Sequence, residues 1–83
     1  MIKVLQLKPL GEFQLELSFS DGSHGVFDGA EYLAGRSGPM LEPLRSASYF
    51  ARCFVEAGGL CWPNGFDLSP TRAQELCHLT AIG

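Results

Sequence analysis

Basic residues are scarce in this 83-residue chain: six Lys and Arg, spread singly from Lys3 to Arg72, against nine Asp and Glu. No stretch of them could neutralise successive phosphates, so nucleic acid binding by this chain alone is not expected. No apolar run approaches the roughly 18 residues of a membrane span. The amino terminus MIKVLQLKPL carries charges inside its apolar stretch and lacks a small-residue cleavage site, so it does not read as a signal peptide. The cytoplasm is the expected compartment. There are three cysteines, Cys53, Cys61 and Cys77, an odd number without C-x-x-C spacing, which excludes a complete disulfide framework within one chain. Cys61, Cys77, His78 and His24 would make four metal ligands on paper, but their spacings match no zinc pattern. No metal or cofactor is expected.

Catalytic signatures are missing too. His24 and His78 are the only histidines, and there is no G-x-S-x-G, Walker-type loop or H-E-x-x-H. Of the carboxylates Asp21, Asp28 and Asp67, the first suits a turn and the second a helix cap. Asp67 alone lacks a full structural role. A small-molecule or metal-dependent enzyme would have to use Asp67 with His24, and a domain this small leaves little room for a pocket beside its core.

What is present is a compact pattern. Hydrophobic residues make up 46% and charged residues 18%, too apolar for a disordered chain and enough for one domain over residues 1–83. From Phe13 to Ser20 apolar and polar residues alternate strictly, the period of a half-buried strand. Asp21-Gly22 then predicts a two-residue hairpin turn. A tight hairpin would set Leu17 opposite Val26 and Phe19 opposite His24, leaving Phe27 opposite Glu16 on the polar side. That requires a bulge or a second covered face. An earlier strand, Ile2 to Lys8, returns through Pro9-Leu10-Gly11 to complete a three-stranded meander.

Asp28 is a plausible cap for a short helix through Leu33, and Ser46 for one carrying Tyr49, Phe50 and Cys53. Phe54-Val55-Glu56-Ala57, Gly58-Gly59 and Leu60-Cys61-Trp62 read as a second hairpin with Val55 opposite Trp62. Trp62 is then a packing residue whose indole N–H needs a partner. In Trp62-Pro63-Asn64-Gly65 the residue types fit a type I turn. Ser69-Pro70 starts a last helix, to about Thr80, with Ala73, Leu76, Cys77 and Leu79 as its buried stripe. The expected fold is α+β: a small antiparallel sheet of meander plus hairpin, with two or three short helices.

Ser20-Asp21-Gly22, Phe27-Asp28, Pro43-Leu44, Phe50 and above all Trp62-Pro63-Asn64-Gly65-Phe66-Asp67-Leu68-Ser69-Pro70 resemble the bacterial domain-of-unknown-function 2442 family, from about Val4 to Pro70. The resemblance implies a small α+β domain with helices on one side of its strands. Some members carry an additional carboxy-terminal helix-turn-helix, and some are suspected partners of a second small protein in toxin–antitoxin-like pairs. Thr71-Arg72-Ala73 departs from the acidic residue and Leu-Tyr pair that tend to follow in the family. Two classes of function therefore stand beside the enzyme. One is a protein-binding module, the neutralising partner of a small protein, presenting Trp62, Asn64 and Asp67 on a loop. The other is a self-assembling structural domain, as a homodimer.

Overall fold

A computed structural model describes residues 1–80. Strands β1 (Val4–Gly11), β2 (Gln14–Phe19) and β3 (His24–Asp28) form the expected meander. Leu15, Leu17 and Phe19 are buried while Gln14 and Glu16 are exposed, as the alternation requires. The β2–β3 turn is one residue longer than the two-residue form. Phe19 N–H donates to the Ser23 carbonyl at 2.8 Å and Gly22 N–H to the Phe19 carbonyl at 3.0 Å, with Gly22 at φ 89°. This is a three-residue loop closed by a left-handed glycine. The pairing consequently shifts: Leu17 faces Gly25 and Leu15 faces Phe27. A one-residue slip exchanges the two faces of a strand, so Phe27 lies on the core side, buried, without bulge or second covered face.

β1 also differs from expectation. It continues through Pro9 to Gly11, because an edge strand tolerates a residue without an N–H. The reversal falls on Gly11-Glu12-Phe13, all with positive φ, and Gly29 N–H secures it by donating to the Phe13 carbonyl at 2.7 Å.

Asp28 caps α1 (Gly29–Ala34), its carboxylate accepting from Glu31 N–H at 3.1 Å. A 3-10 turn at Pro43–Arg45 precedes the four-residue α2 (Ala47–Phe50). Ser46 occupies the cap position of α2 without a capping bond; its hydroxyl meets that of Ser48 instead. Arg45 ties the segment together by donating to the carbonyls of Leu33 and Arg36.

The second hairpin, β4 (Phe54–Glu56) and β5 (Gly59–Cys61), turns at Ala57-Gly58, with φ of 52° and 79°. The turn sits one residue earlier than Gly58-Gly59, so Val55 faces Leu60 and Trp62 lies beyond the ladder. β6 (Asp67–Leu68) pairs with β5 to make a three-stranded sheet. Val4 N–H donates to the Gly58 carbonyl at 2.8 Å and joins the two sheets.

α3 (Pro70–Leu76) begins as predicted, with the Ser69 hydroxyl accepting from Arg72 N–H at 3.1 Å. It stops well before Thr80. Cys77–Leu79 leaves the helix as β7 and pairs with β3, giving a four-stranded antiparallel sheet ordered β1-β2-β3-β7. The free edge of β3 recruits this segment because Gly25 has no side chain: a Cβ there would overlap the His78 carbonyl oxygen and lie 2.8 Å from the Leu79 Cα. Between the elements lies one core, in which Trp62, Phe19, Phe27, Phe50, Leu15, Leu17, Leu44 and Leu60 are the largest fully buried side chains. No helix among the described residues is long and apolar enough to cross a membrane.

Candidate functional site

The loop from Trp62 to Phe66 repeats the geometry of the β2–β3 turn. Trp62 N–H donates to the Phe66 carbonyl at 2.9 Å, Gly65 N–H to the Trp62 carbonyl at 3.0 Å, and Gly65 has φ 92°. In each loop the residue before glycine accepts from the backbone two positions on: Asn64 Oδ1 from Phe66 N–H at 3.2 Å, Asp21 Oδ1 from Ser23 N–H at 2.9 Å. The Asn64 amide also donates to the Met40 carbonyl at 2.9 Å, fastening the loop to the segment before the 3-10 turn.

The three residues expected on this loop therefore have different situations. Trp62 is 1% exposed, packs 5.5 Å from the Phe50 ring and donates its indole N–H to the Phe50 carbonyl at 2.9 Å. It is not displayed; it anchors the loop from below. Asn64 is half-buried, with both ends of its amide engaged. Asp67 is exposed. A partner arriving here meets Asp67, Pro63 and Gly65, not the indole.

Asp67 has neighbours that short sequence patterns did not single out. Directly paired residues on adjacent strands share a face, so the pairings Phe54 to Cys61 and Cys61 to Asp67 line these three across the sheet. The inner face is set by Leu60 and Leu68, both buried, and the Phe54–Cys61–Asp67 row is the outer one. Glu56, two residues from Phe54 on the same strand, joins it. Phe54 is 42% exposed. The Cys61 thiol registers this surroundings: its pKa is raised by partial burial, then by the Glu56 and Asp67 carboxylates. The result is an open acidic patch with an aromatic ring on it. Three-residue strands offer too few periods for alternation to identify a face, which is why Phe54 and Glu56 were not foreseen.

Asp67 and His24, expected to act together in an enzyme, lie on different sheets. His24 lies on β3 of the four-stranded sheet, opposite Ser18, and Asp67 on β6 of the other sheet. Among the described residues no group of three or more His, Cys, Asp or Glu side chains gathers as metal ligands. His78 and Cys77 are successive residues of β7, and His78 Nε2 meets Glu31 Oε1 at 3.1 Å. The cysteines are free thiols. Burial pushes Cys53 up to about 12 and Cys77 up to about 11, which keeps both protonated and poorly nucleophilic at neutral pH. Asp21 is the carboxylate with a lowered pKa, held down chiefly by the Ser23 hydroxyl, then by the Ser23 N–H and the Gln74 amide. Those bonds tie the β2–β3 loop to α3.

The model of a family described as protein of unknown function (DUF2442) matches residues 4–72. The chain belongs to the DUF2442 family. The match covers both sheets apart from β7, and takes in the Trp62–Pro70 block together with the Asp21-Gly22 turn. In this DUF2442 chain the loop seats Trp62 in the core and leads directly into β6. Comparison with curated proteins and with solved structures returns no match.

Proposed function

We propose that this DUF2442 domain is a protein-binding module, acting as the neutralising partner of a small basic protein. The observation that carries the reading is the outer face of the three-stranded sheet, where exposed Phe54 sits among Glu56, Cys61 and Asp67. An aromatic ring bordered by carboxylates suits a Lys or Arg side chain, through ion pairing and attraction to the ring face. Trp62 and Asn64 serve the site indirectly, by holding the loop that leads into β6.

The test is a tagged capture from native cells, comparing wild type with a Glu56→Lys/Asp67→Lys double variant. The expected result is one small basic protein retained in near-equal amount by wild type and lost by the variant, with retention falling as salt is raised. Equal retention by both would exclude this face. Both side chains are exposed, so a circular dichroism melt should show the variant still folded.

A further inference from the structure

We draw no further inference here: the strongest candidate, the shallow apolar cleft between α1 and the β1–β2 turn lined by Phe13, Ala30, Leu33 and Ala34, carries nothing because its one charged lining residue, Arg45, is already bonded to Glu42 and to the Leu33 and Arg36 carbonyls and nothing in the structure shows what covers it.

Discussion

Trp62 shows how one side chain sets the order around it. Its ring lies 5.5 Å from Phe50 and 5.7 Å from Phe66, and its N–H reaches the Phe50 carbonyl, so the end of α2 and the loop before β6 are held to one point. That carbonyl also accepts from Cys53 N–H at 3.2 Å, so it keeps one partner when the indole is removed. Trp62→Phe should cost about 1–3 kcal/mol, from the lost hydrogen bond and the space the larger ring leaves. Urea denaturation followed by far-ultraviolet circular dichroism measures it. Gly25 works by absence. Gly25→Ala drives a methyl into the His78 and Leu79 backbone, and the expected outcome is detachment of β7. Hydrogen exchange should report it at the Thr80 amide, which donates to the His24 carbonyl at 2.9 Å in the intact sheet, with slower-exchanging amides of β2 little affected.

Among the elements, the two three-residue loops carry the clearest prediction. Gly22 and Gly65 both stand in the left-handed region, and an added Cβ would find nothing within 4 Å at Gly22 and only the Met40 methyl at 3.8 Å at Gly65. The penalty for alanine is thus conformational rather than steric. Gly22→Ala and Gly65→Ala should each cost about 1–2 kcal/mol, and should agree with one another within error. Unequal values in urea denaturation would show that the loops are not equivalent. The elements also show where local reading works. Asp28 and Ser69 cap their helices as their residue types predict, because a cap depends on three or four consecutive residues. Alternation from Phe13 to Ser20 identified β2 for the same reason. Turn length did not follow from Asp21-Gly22 or Gly58-Gly59: two- and three-residue loops share these residue types, and a one-residue difference moved Phe27 from the polar side to the core. Cys77-His78-Leu79 was equally compatible with the end of a helix, and the open edge of β3, 50 residues earlier in the chain, decided for a strand.

For the whole molecule, the thiols of buried Cys53 and half-buried Cys77 link stability to pH. In the unfolded chain cysteines ionise near their ordinary 9.0, whereas in the folded domain Cys53 waits until about 12 and Cys77 until about 11. Groups with raised folded pKa contribute fully below pH 9.0, and that contribution is lost as pH rises toward the folded values, because only the unfolded state gives up its protons in that window. The urea midpoint should fall as pH is raised above 9.0, and Cys53→Ala should reduce the slope. A slope unchanged by this substitution would mean that the thiol at the edge of the core is not the group responsible.

The α+β class, the period of β2, the helix caps at Asp28 and Ser69 and the family could all be read from the residues alone, since each rests on positions close together in the chain. The Trp62–Pro70 block stands out in the same way. The situation of each residue in that block depends on distant partners: packing buries Trp62, Met40 occupies Asn64, and β5 sets Asp67 beside Cys61 and Phe54. The same holds for β7 and for the joining of the two sheets at Val4 and Gly58. These features depend on which distant segments meet, and that is set by register and by the shape of the core, neither of which a local run of residues can encode.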